Sequence, residues 1–124
     1  MAARFLKIAV IYLVIGVVIG IGMGIAENFA LVPVHVHVLL LGWVTLALAG
    51  FVYHAFPAAA QSRLARAHFW LHNLALPVFM GALALFRLGQ AQLLPVLIAA
   101  SLLMLVALAL FAWNVMANVK AVAV

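Results

Sequence analysis

Residues 28–62 read NFALVPVHVHVLLLGWVTLALAGFVYHAFPAAAQS, a stretch without a single Asp, Glu, Lys or Arg. A helix crossing a bilayer needs about 20 apolar residues at 1.5 Å rise each, so this stretch accommodates one full crossing and a connection. The pattern repeats along the chain. The charged residues are Arg4, Lys7, Glu27, Arg63, Arg66, Arg87 and Lys120, and the segments between them, 8–26, 28–62, 67–86 and 88–119, are free of charge. Of 124 residues, 73% are hydrophobic and 6% charged, with a net charge of +5. A soluble domain carries about a quarter charged residues, so a water-soluble enzyme is excluded and the chain must be solvated by lipid. The expected fold class is all-α: one domain over 1–124, an integral membrane four-helix bundle with spans at about 5–27, 32–56, 66–88 and 92–120. Strands are not expected, because lipid admits only helices or closed barrels and no ten-residue alternation is present.

The prolines support this division. Pro33, Pro57 and Pro95 fall near proposed helix ends, where proline is tolerated, whereas Pro77 lies inside the third span and predicts a kink. Lys and Arg in short connections set orientation. Arg4 and Lys7, Arg63 and Arg66, and Lys120 all fall on one side of a four-span chain, so both termini are expected in the cytoplasm, in a bacterial-type inner membrane. Glu27 and Arg87 mark the outer side. A cleaved signal peptide is the competing reading of the first span, but its apolar run is too long for a signal core. Gly16, Gly20 and Gly24, with Gly22 between, let another backbone approach in lipid, most simply a neighbouring helix of the same chain.

With no cysteine, iron–sulfur clusters, Cys-ligated zinc, covalently attached haem and disulfides are excluded. Metal chemistry rests on five histidines. Histidine inside a membrane is costly and by default a functional hypothesis. His35 and His37 lie in the outer third of the second span. Two residues on a helix are about 200° of rotation, so the two imidazoles face apart and one ion cannot take both. Neutral imidazole suits haem iron, copper or zinc; the competing reading is two histidines hydrogen-bonded to backbone or headgroups. His54, His68 and His72 group on the inner side, and the four-residue spacing of the last two puts them on one helix face, as for ligands to one metal. The reading favoured for this group is interfacial, within the aromatic belt beside Tyr53 and Trp70. Arg87 is the one cation on the side of His35 and His37. Its guanidinium fork matches a carboxylate such as a haem propionate; without haem it is a snorkelling interfacial residue.

The run His35-Val36-His37-Val38-Leu39-Leu40-Leu41-Gly42-Trp43, continuing to Tyr53 and Pro57, resembles the tenth helix of subunit I of the haem–copper oxidases. Arg63-Leu64-Ala65-Arg66-Ala67-His68-Phe69-Trp70-Leu71 resembles the start of that family's eleventh helix. The resemblance covers the whole chain as a counterpart of the last four of twelve helices. It implies that His35 binds a high-spin and His37 a low-spin haem, and that Arg87 holds a propionate. The chain departs from the family in lacking a helix for the other low-spin axial histidine, a three-histidine copper site and a cross-linked Tyr–His pair, so oxygen reduction by this chain alone is not expected.

The family's twelve helices form three four-helix arcs about a pseudo-threefold axis, and a chain resembling one arc would close the ring as a homotrimer, in preference to a dimer. His37 of one subunit and His35 of the next would then ligate opposite faces of one non-covalent haem b. The function expected is that of a bis-histidine electron-transfer or haem-carrying unit, with a gas (nitric oxide or oxygen) sensor as a variant. Two other classes stay open: a cofactor-free accessory or assembly protein of a respiratory oxidase, and a small metal transporter using the outer and inner histidines. Expected partners are the bilayer, further copies of the chain and a redox partner, not nucleic acid.

Overall fold

The computed structural model describes residues 1–120 and is built from helices, with no strand among those residues. In order they are α1 (Ala2–Ala26), α2 (Val32–His37), a π-helical segment (Val38–Val44), α3 (Thr45–Ala55), α4 (Pro57–Ala60), α5 (Arg63–Arg87), a 3₁₀ turn (Ala91–Leu93) and α6 (Leu94–Asn118). The pieces α2, π segment and α3 run on as one rod, Val32–Ala55. Four helices are therefore long and apolar enough to cross a membrane, the others being Ala2–Ala26, Arg63–Arg87 and Ala91–Asn118.

These bounds shift the expected ones by a few residues, and the local chemistry says why. Arg63, which an expected span of 66–88 leaves in the connection, is the first residue of α5. Ser62 caps that helix, its Oγ accepting from the Ala65 N–H at 3.0 Å and satisfying one of the free N–H groups of the first turn. Pro33, Pro57 and Pro95 each occupy the first or second position of a helix, where no N–H is needed. α5 passes through Pro77 as one continuous helix. α1 ends in a Schellman turn: Glu27 adopts the left-handed conformation (φ 49°) and the Asn28 N–H returns to the Met23 carbonyl at 3.2 Å.

Burial is inverted relative to a soluble bundle. Large apolar side chains such as Val14, Val18 and Ile21 on α1 and Leu102 and Leu105 on α6 are exposed, a surface suited to contact with lipid. The most apolar windows of the first and last spans are each 17% buried, against 39% and 33% for the second and third. The two middle spans thus form the centre and the outer two flank them. One core cluster gathers Phe5, Ala9, Leu46, Ala49, Tyr53, Ala65 and Phe69 at the end where α1 and α5 begin and α3 and α6 finish. The second, with Val34, Val38, Leu76, Met80, Met104 and Ala107, lies towards the other end. Gly16 and Gly42 mark close approaches of α1 to the second span: a Cβ on Gly16 would strike the Leu39 side chain, and one on Gly42 would stand 2.5 Å from Tyr12 Cγ. Of the α1 glycines, Gly16 thus packs within the chain, whereas a Cβ on Gly22 or Gly24 would meet nothing within 4 Å.

Candidate functional site

His35 and His37 start at the second turn of α2 and point to different neighbours. The His35 ring crosses onto α1, where its Nδ1 is 2.7 Å from the Gly16 carbonyl oxygen. It lies over Gly20, whose added Cβ would be 2.8 Å from His35 Cε1 and 3.2 Å from Nδ1. The residue at position 20 can only be glycine if the imidazole is to keep this seat. His37 turns the other way. Its Nδ1 is 2.7 Å from the Pro33 carbonyl oxygen in its own helix, and its ring meets Phe79 of α5 edge-on with centroids 5.5 Å apart.

A carbonyl oxygen only accepts, so both Nδ1 atoms carry the hydrogen and donate. Each neutral ring then has its lone pair on Nε2, the atom left for another donor or a metal. Neither Nε2 has a hydrogen-bond partner among the described residues, and both rings are half-buried. On the same end of the bundle, Arg87 is exposed and its Nε donates to the Ala30 carbonyl at 3.0 Å, tying the end of α5 to the turn that leads into α2.

The other three histidines are arranged differently from the sequence expectation. His54 is exposed, one residue and so about 100° round the helix from buried Tyr53. His68 and His72 are fully buried, not interfacial. No three His, Cys, Asp or Glu side chains among the described residues gather into a group that would hold a metal ion, so a His54/His68/His72 set is not assembled. His68 is sandwiched by Phe5 of α1 and Phe111 of α6, with centroids 5.2 and 5.0 Å away. These rings exclude lipid and water from it, and its polar atoms are satisfied from within the bundle.

That satisfaction runs as a chain with one direction. His72 Nε2 is 3.0 Å from the Leu41 carbonyl oxygen, which can only accept, so the hydrogen is on His72 Nε2 and its Nδ1 accepts. The partner of that Nδ1 is His68 Nε2 at 3.3 Å, which must donate. His68 Nδ1 then accepts from the Tyr53 hydroxyl at 3.0 Å, and the hydroxyl oxygen accepts a long contact of 3.4 Å from Asn114 Nδ2. Asn114 is fully buried, and its Nδ2 also donates to the Ala59 carbonyl at 3.0 Å. Its Oδ1 accepts from Asn118 Nδ2 at 2.8 Å and lies 2.9 Å from Ser62 Oγ, whose single hydrogen is shared between it and the Ala59 carbonyl, also at 2.9 Å. In hydrocarbon an unpaired polar group costs several kcal/mol, and the buried side-chain polar atoms of Tyr53, His68, His72 and Asn114 all have partners.

Asn114 and Asn118 give no sequence signal for this role; only the 3.6-residue periodicity, which puts them on one face of α6, hints at it. Asn73 is a third amide that sequence reading misses. Its Nδ2 donates to the Phe69 carbonyl at 2.7 Å while its Oδ1 is buried without a partner. Pro77, four residues on, cannot supply the N–H that the Asn73 carbonyl would normally accept. Compared with known protein families, curated proteins and solved structures, the chain matches none.

Proposed function

We propose that this protein is a haem b-binding, redox-active membrane protein in which His35 and His37 are iron ligands. One observation supports it above the others: each imidazole has Nδ1 committed to a main-chain carbonyl and Nε2 free with its lone pair. An Nδ1–H held by a carbonyl fixes tautomer and ring direction, the arrangement of outer partners that metal-ligating histidines use. Because the two rings face α1 and α5 respectively, one chain offers each haem a single imidazole. A bis-histidine site then takes its second ligand from another copy, and a cyclic homotrimer pairing His37 with the partner's His35 supplies it at every interface. Arg87, exposed at the same end, would hold a propionate by its outer N–H groups. Bound there, haem b would supply one-electron redox chemistry. The resemblance to subunit I of the haem–copper oxidases, carried by the His-x-His run and the His68-Phe69-Trp70 run, agrees with this, as does a location in a bacterial cytoplasmic membrane with both termini inside.

A second reading has its own observation. His35 locks α2 to α1 through the Gly16 carbonyl and the open surface at Gly20, which is a complete structural role without any metal. A cofactor-free accessory protein of a respiratory oxidase would use it so. The two are separated by an absorption spectrum of protein purified after expression with ample porphyrin supply. Haem gives a split, redox-sensitive band that disappears in His35→Ala and His37→Ala and a stoichiometry near one haem per subunit in the sized complex. Colourless protein overturns the haem reading, and a band retained in both variants overturns the choice of ligands.

A further inference from the structure

The second span has one irregular stretch, the π-helical turn at Val38–Val44. In it the Thr45 N–H reaches back five residues to the Leu40 carbonyl, and the α pattern resumes from Thr45. Passing from a five-back to a four-back pattern skips one carbonyl. With Leu40 taken by Thr45, the four-back partner of Leu46 is Gly42, and Leu41 is the carbonyl left without a main-chain donor. That same oxygen is the one 3.0 Å from His72 Nε2. The end of the buried histidine chain and the defect in the helix are thus a single contact.

We infer that His72 is a positioning residue: it keeps the π turn open and thereby sets the direction in which His35 and His37 leave the second span. The orphan carbonyl lies inside hydrocarbon, where leaving it unpaired costs several kcal/mol. Take away the His72 donor, and the way to recover a partner is to return the turn to the four-back pattern. The extra residue then has to be absorbed outward, which rotates α2 by about 100° and shifts it by about 1.5 Å relative to α3. His35 leaves its seat over Gly20 and His37 leaves Phe79. The remaining members of the chain hold His72 in the only tautomer able to do this, since His68 Nε2–H fills its Nδ1 and Tyr53 O–H fills His68 in turn.

The clamp itself stands on the hydrogen-bond geometry alone; its use in presenting iron ligands rests on the haem reading. The experiment compares the unmodified protein, His72→Leu and His72→Gln in lipid nanodiscs by NMR with ¹⁵N-histidine and ¹³C-leucine labels. The unmodified protein is expected to show a through-hydrogen-bond coupling between His72 Nε2 and the Leu41 carbonyl carbon, and a proton contact between the His35 ring and Gly20. His72→Leu should lose the His35–Gly20 contact, and His72→Gln, which keeps an N–H donor on a chain of similar reach, should recover it. Absence of the coupling in the unmodified protein overturns the inference even if neither variant folds. A folded His72→Leu that keeps the His35–Gly20 contact overturns it as well, and so does a His72→Gln that behaves as the leucine variant does. Failure to take up haem would remove the ligand assignment and leave all three of these outcomes as they are.

Discussion

Gly20→Ala tests the seat of His35 directly. The added methyl carbon would stand 2.8 Å from His35 Cε1 and 3.2 Å from Nδ1, where carbon atoms in good contact sit about 3.5–4.0 Å apart. The ring must therefore retreat from α1 by about 0.7–1.2 Å. Its hydrogen bond is to Gly16 on the same helix, so the retreat stretches the 2.7 Å contact to about 3.4–3.9 Å, where it is weakened or lost. Overpacking of this kind costs about 1–3 kcal/mol, and a lost interhelical bond in lipid about 0.6–1.7 kcal/mol. Gly22→Ala is the control, because a Cβ there meets nothing within 4 Å. Both changes gain the same helix propensity, about 1 kcal/mol. The two variants should then differ in stability by about 2–4 kcal/mol in a detergent unfolding titration, with Gly20→Ala the weaker. In the haem reading, Gly20→Ala should also lower haem affinity about 10–100-fold, as loss of an outer-shell hydrogen bond does. Equal unfolding midpoints for the two alanine variants would refute the seat, whatever the protein binds.

Two further outcomes follow from local geometry. Ser62→Ala removes the cap of α5 and a donor to Asn114, and is expected to destabilise the bundle by about 1–2 kcal/mol in the same titration. Glu27→Gly relieves a left-handed residue that bears a Cβ at the end of α1, and should stabilise by about 1 kcal/mol, read as a higher unfolding midpoint.

The spans were legible because charge is so sparse: Glu27, Arg63 and Arg87 all fall within a residue or two of a helix end. The opposed facing of His35 and His37 was legible from helix geometry alone. What each ring touches was not, since Gly16 and Phe79 belong to other helices and nothing in the local spacing names them. The π turn left no trace in the pattern, because one extra residue in an unbroken apolar run changes no periodicity that lipid-facing positions enforce. Their place beside Tyr53 and Trp70 at the inner end of the spans points to an interfacial setting for His68 and His72. They are buried because Phe5 and Phe111 arrive from both flanking helices to cover them, a tertiary event. Asn114 carried too little signal by itself; its weight comes from meeting Tyr53, Ser62 and Ala59, which lie more than 50 positions away in the chain.

The row from Asn114 to Leu41 ends on an atom that owns no hydrogen. Water files and hydroxyl ladders can flip their polarity, every member handing its hydrogen the opposite way, but here the last link has nothing to hand back. The dipoles of Tyr53, His68 and His72 are therefore frozen head to tail, a permanent electric field laid along the protein's middle that points from α6 to the widened turn.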